Sequence, residues 1–193
     1  MPSTMIHFMV AHELEPDAPG LYWVGNNAPD YAGSRELKDH IHYRDSRCRQ
    51  EDIISLLLSP DYRNDFERGW AVHLFTDFCW DGDLLPKCEK YFSSKNPDEH
   101  WFHQYRREIW DASSYLYHNL PWANEIFLLI ENTDLTGLVT DIAVSLSEIE
   151  RYRAYYLASH RAGEPDRIPE ILSIDIISAF VSQTVRRYKA YME

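Results

Sequence analysis

Four short segments in the first 80 residues each offer an imidazole or a carboxylate: Ile6-His7-Phe8, Gly25 to Asp30, His40 to Asp45, and Trp70 to Asp77. Imidazole plus carboxylate is the donor set of catalytic zinc and of related first-row metals. His73 and Asp77 are four residues apart, so in a helix both side chains leave the same face one turn apart and can ligate one ion. Asp77 could also satisfy a neutral His73 with no metal present, because a buried imidazole needs at least one partner. Taken singly, Asp30 reads as a helix cap or Asx turn after Pro29, and His7 as a core histidine. His40 and His42 are two residues apart and compete for one ligand position, so one of the two at most is expected to face a site. The order His, Asp, His, His-x3-Asp, taken together, points to a metal-dependent enzyme.

The elements that must position these groups read as helices. A first helix is expected from Ser3 to Glu15, capped by Ser3 or Thr4 and stopped near Pro16, with Met5, Phe8, Met9 and His12 on one side and His7 beside that stripe. Residues 16–47 hold three prolines, three glycines and the pair Asn26-Asn27, a composition that predicts a turn-rich segment with little regular structure. Long irregular loops in compact domains are usually functional. Helices follow over Arg49–Leu58, Asp61–Trp80, Leu84–Phe92, Pro97–Asn119, Pro121–Glu131, Gly137–Ala162 and Pro169–Met192. The expectation is an all-α, single-domain bundle of about seven helices over residues 1–193, its metal site formed by the N-terminal helix, the following long loop and a central helix.

Composition narrows the function. The chain has 193 residues, a net charge of -12, 14% aromatic residues and only 7 glycines. Few glycines and long amphipathic runs favour helices over a sandwich or barrel. The acidic balance argues against binding double-stranded nucleic acid, which needs clustered Lys and Arg; a small phosphoester bound by a metal is compatible with it. Three cysteines without a CxxC pair argue against a disulfide framework or thiolate zinc. With no signal-peptide pattern and no apolar run of about 20 residues, neither secretion nor a transmembrane segment is expected, and the chain reads as cytoplasmic.

Over about Met1 to Leu85 the ligand order resembles the zinc-dependent phospholipase C family, helical bundles that carry zinc. His7 matches that family's first-helix histidine and Asp30 its loop aspartate in a Pro-Asp context. His42, in His42-Tyr43-Arg44-Asp45, matches the histidine of its His-Phe-Tyr-Asp segment, which selects His42 over His40. His73 and Asp77 match its HxxxD pair. The resemblance implies a metal-activated water acting on a phosphoester, one or two zinc ions (or another first-row divalent metal), and His7, Asp30, His42, His73 and Asp77 as ligands. Asp30 or Asp77 would take the proton, with Arg44 and Tyr43 at the substrate.

The chain departs from the family in two respects. The family's processed N-terminal ligand has no processing signal here, and its second histidine cluster is not reproduced. After Asp77 no histidine occurs until His100, and His160-x3-Glu164 reads as a solvated helix end. Asp111 and His118 are the candidates for a second metal or for proton transfer. The aromatics Tyr22, Trp23, Tyr31 and Tyr43 offer either a cage for a cationic head group or core packing. Three readings compete with the phospholipase-like one. An HD-type phosphohydrolase needs His before Asp, the reverse of Asp39-His40. The others are a single-strand zinc nuclease and a non-catalytic, metal-stabilised or ligand-binding helical protein.

Overall fold

In a computed structural model, which describes residues 1–59, 64–140, 142–164 and 168–193, the described residues form ten α-helices, one 3₁₀ turn and no strand. α1 (Thr4–Leu14) starts after Ser3, as its sequence predicts, and every residue from Thr4 to Ala11 is buried. A helix that is buried all round belongs at the centre of a bundle, and α1 packs against the helices Gly20–Asn27, Asp65–Asp83, Trp101–Asn119 and Ile174–Met192.

The segment expected to be irregular is mostly helical. It holds α2 (Gly20–Asn27), the 3₁₀ turn Ala28–Tyr31 and α3 (Arg35–Ile41). Two glycines explain the difference. Gly25 does not serve as a turn; it lets α2 lie on α5 (Asp65–Asp83), because a Cβ there would sit 2.0 Å from the Phe66 carbonyl oxygen. A Cβ on Gly69 of α5 would likewise sit 2.0 Å from the Tyr22 carbonyl oxygen. Paired glycines thus bring two backbones closer than any side chain permits. α2 and α5 make the most extensive helix pairing among the described residues.

α4 (Arg49–Leu57) precedes α5, whose expected start at Asp61 lies outside the described residues. α6 (Leu85–Lys95) and α7 (Trp101–Asn119) follow, then α8 (Ala123–Asn132). α9 (Leu146–Arg161) begins later than the expected Gly137, at a capping box in which Ser145 and Glu148 satisfy each other's backbone N–H groups. α10 (Ile174–Met192) closes the chain. The stretch before α10 is pinned to α7 by buried Glu108, whose carboxylate accepts from the backbone N–H groups of Glu170, Ile171 and Leu172 at 2.6–3.1 Å. Among the described residues, no helix is long and apolar enough to cross a membrane.

Candidate metal centre

The five predicted ligands converge although they come from four elements. His7 lies on α1, Asp30 on the 3₁₀ turn, His42 at the end of α3, and His73 and Asp77 on α5. His7, His42, His73 and Asp77 are fully buried. His42 and His73 are held in the same manner. His42 Nδ1–H donates to the Lys38 carbonyl at 2.6 Å, and His73 Nδ1–H donates to the Asn26 carbonyl at 2.6 Å. Both carbonyls belong to the last turn of a short helix, where main-chain acceptors are in excess.

Because each Nδ1 carries the proton, each Nε2 presents a lone pair. Those two atoms face each other at 3.1 Å. Asp77 Oδ2 lies 3.2 Å from His42 Nε2 and 3.9 Å from His73 Nε2, and Asp30 Oδ1 lies 3.6 and 4.0 Å from the same two atoms. Four acceptors around one point repel one another unless positive charge sits among them. Donors bound to a first-row ion at about 2.0–2.2 Å lie roughly 3–4 Å apart, and these separations fall in that range. The groups His42, His73, Asp77 and His7, Asp30, His73 each hold ligand atoms within 4.8 Å of one another.

His7 completes the cluster in a different manner. Its ring stacks on His73 at 3.8 Å with an interplanar angle of 7°, and its Nε2 is 3.5 Å from Asp77 Oδ1. Neither nitrogen of His7 has a hydrogen-bond partner among the described residues, and the same holds for Asp77 Oδ1. Buried polar atoms are rarely left so. Their concentration at one point is what a cation-binding site offers.

The protonation states suit ligation. Burial disfavours the charge of His73 and, with the neighbouring His7 ring, pushes its pKa well below the usual histidine range, against the pull of Asp30 and Asp77. Burial also opposes ionisation of Asp30, but the Lys38 ammonium and His42 outweigh it and hold its carboxyl well below the usual range. Asp77 is held low in the same way by the three imidazoles around it. The donors are thus a neutral imidazole and two carboxylates, the forms that bind metals.

Protein cations already touch the carboxylates. Lys38 Nζ is 2.8 Å from Asp30 Oδ1, and Arg44 Nη2 is 3.2 Å from Asp77 Oδ2. Arg44 also reaches Asp81 Oδ2 at 3.5 Å, and Asp81 takes Arg49 Nη1 at 2.9 Å. Tyr43, at φ +52°, reverses the chain between His42 and Arg44, placing a bulky residue in the left-handed region. That turn lets His42 point inward while Arg44 reaches Asp77.

A cavity of about 1080 Å³ opens beside the cluster. Asp30, Lys38, Arg44 and Asp81 line one side, while His7, His42, His73 and Asp77 lie behind that wall; α7 supplies another side. Tyr43 does not line the cavity, and burial with nearby Asp52 raises its phenol pKa. Tyr22, Trp23 and Tyr31 are core residues at 0–1% exposure, so the aromatics of residues 16–47 build no cage.

The later candidates separate. Asp111 is on the cavity wall, whereas His118 is exposed and donates from Nε2 to the Gly163 carbonyl at 3.1 Å. Seven helical residues put about 10 Å of rise between them, too far to share an ion. His160, expected at a solvated helix end, is buried at 1% exposure. Its Nδ1–H donates to the Tyr156 carbonyl at 2.8 Å, so Ser113 Oγ–H donates to its Nε2 at 2.7 Å. His40 is exposed and pairs with Asp45 at 3.0 Å, outside the buried cluster.

Sequence reasoning passed over Lys38, Asp81 and the α7 wall. Asp81 had a signal, since His73, Asp77 and Asp81 repeat every four residues along α5. Lys38 had none, because its role depends on where the 3₁₀ turn places Asp30. No family model, curated protein or solved structure matches the chain.

Proposed function

We propose that this chain is a metal-dependent phosphoester hydrolase whose cation is held by Asp30, His42, His73 and Asp77, with His7 at the edge of the set. The observation that carries this reading is the meeting of two Nδ1-tethered imidazoles, Nε2 to Nε2 at 3.1 Å, beside two carboxylates. Tethering of the remote nitrogen to a carbonyl fixes the tautomer that ligates and raises its basicity. A first-row divalent cation in that position, zinc being the reference case, supplies an activated water at neutral pH and polarises a phosphoryl oxygen.

The chain's own groups then divide the remaining work. Asp30 is the ligand candidate on the cavity wall, so it is the carboxylate placed to accept a proton from the attacking water. Asp77, fully buried, serves as ligand and as anchor for Arg44. Arg44, on the cavity wall, offers its remaining N–H groups to a phosphate. The zinc-dependent phospholipase C resemblance supports the same reaction class through the order of His7, Asp30, His42, His73 and Asp77.

A second reading has its own support. Lys38 and Arg44 already balance charge on Asp30 and Asp77, and a buried ion network can be structural without metal or turnover. The assay that separates the readings uses bis(p-nitrophenyl) phosphate, p-nitrophenyl phosphate and phosphocholine esters, with zinc or manganese added. Hydrolysis of one of them that disappears in both His73→Ala and Asp77→Ala supports the hydrolase. Activity surviving both substitutions places the chemistry elsewhere, and no activity on any phosphoester favours the structural network.

A further inference from the structure

The α7 wall of the cavity carries a pattern that the hydrolytic chemistry does not use. Phe102, Arg106 and Trp110 are spaced four residues apart on one helix, so they form a single stripe. All three line the cavity, and all three are exposed, with Phe102 at 42% and Trp110 at 40%. Trp101 and Tyr105 lie beside them on the same wall, their rings 6.0 Å apart. Aliphatic groups are few along this surface, and three flat groups follow one another as ring, guanidinium, ring.

The charge on the wall is also unusual for this chain. Five arginines and lysines face four aspartates around the cavity, in a protein whose net charge is -12. Three of the aspartates, Asp30, Asp39 and Asp81, are already in contact with protein cations. Arg106 forms no ion pair among the described residues, and the Arg35 side chain is 91% exposed, with Asp39 at 3.6 Å. The cavity therefore holds guanidinium groups ready for an anion, next to flat apolar faces.

Resting on the hydrolase reading above, we propose that the substrate is a nucleoside phosphate ester. Its phosphate is directed to the Asp30–Arg44 side and its base lies on the Phe102–Arg106–Trp110 stripe. Bases stack on aromatic side chains and on arginine planes, whereas acyl chains have no use for alternating rings and guanidinium groups. The volume of about 1080 Å³ is ample for such a ligand.

The test measures binding to the protein as purified, by titration calorimetry, with the non-hydrolysable phosphonate analogue of AMP. The matching ribose phosphonate and inorganic phosphate serve as references. The expected result is that the adenine-bearing analogue binds about tenfold or more tighter than the ribose analogue, the size of one stacked base. Trp110→Ala should remove that advantage and leave the ribose analogue unaffected, while Arg106→Gln, with Phe102 and Trp110 intact, should weaken the adenine analogue. Equal affinity for the two analogues, or an advantage that persists in Trp110→Ala, overturns the proposal. Capture of the protein by phosphatidylcholine vesicles that Trp110→Ala abolishes, with no competition from the adenine analogue, assigns the stripe to a lipid surface and overturns it too. Because binding is read without turnover, base-selective binding without hydrolysis of any phosphoester would remove the hydrolase reading alone. Hydrolysis with no base preference would remove the nucleotide alone.

Discussion

Asn26 and His73 hold each other's helices together at the centre of the site. His73 Nδ1–H donates to the Asn26 carbonyl at 2.6 Å, and the Asn26 side chain donates to the Gly69 carbonyl, one turn before His73, at 3.1 Å. One residue of α2 thereby fixes both the tautomer of a ligand and the distance between α2 and α5. The 3₁₀ turn that carries Asp30 continues directly from α2, so the placement of Asp30 depends on the same contact.

Gly25→Ala tests that dependence. Helix propensity alone would stabilise the variant by about 1 kcal/mol. A Cβ 2.0 Å from the Phe66 carbonyl oxygen requires α2 and α5 to separate, and overpacking of this kind costs about 2–3 kcal/mol. Urea denaturation should show the net loss, and metal affinity should fall with it. A variant as stable as the parent would mean that the close crossing is not what holds these helices.

Lys38→Met separates a metal site from a structural ion network. Lys38 is partly exposed and sits 2.8 Å from Asp30, so losing it should cost the metal-free protein about 1–3 kcal/mol, between the values for exposed and fully buried pairs. With zinc or manganese present the loss should be recovered, because the ion replaces the ammonium at Asp30. A loss of the same size with and without metal, read by thermal unfolding, supports the structural network.

Much of this was legible in the sequence. The all-helical class, the start of α1 and the one-turn spacing of His73 and Asp77 on α5 follow from spacing and residue type, whereas the choice of His42 over His40 rests on the resemblance to the zinc-dependent phospholipase C family. The helices of residues 20–41 were hidden because Gly25 looks the same in sequence at a turn and at a helix crossing; only the facing Gly69 tells them apart. His160 was hidden for a related reason, since its burial comes from α7 and from Ser113, 47 residues away. The cavity wall went unread, because the four-residue spacing of Phe102, Arg106 and Trp110 states its use only when the structure leaves that stripe uncovered.

Asp77→Asn keeps the shape of a fully buried side chain and removes its charge. Hydrolysis should fall by at least about a hundredfold, since loss of even the outer partners of metal ligands costs about 10–100-fold. Steady-state rates at saturating metal, beside circular dichroism to establish folding, check this. Parent-like rates would remove Asp77 from the site.

His160 makes stability depend on pH. Burial lowers its pKa below the usual value of about 6.5, so the unfolded chain binds this proton more readily than the folded one. The stability that comes from keeping it neutral is complete above about pH 6.5 and is lost as pH falls toward the folded pKa. Urea unfolding at pH 7.5 and 5.5 should show a smaller acid loss in His160→Gln than in the parent. Equal losses in the two proteins would show that His160 protonates as easily folded as unfolded.

The central claim is that the 3.1 Å meeting of His42 and His73 is built around a cation. It is tested most directly by the metal content of purified protein equilibrated with trace zinc and manganese, measured by mass spectrometry beside His73→Ala. The account predicts about one equivalent or more of a first-row metal in the parent, little in the variant, and a stabilisation of about 3 kcal/mol in the parent when free metal exceeds its Kd a hundredfold. Less than about half an equivalent in the parent, with no gain in stability on adding either metal, would contradict it.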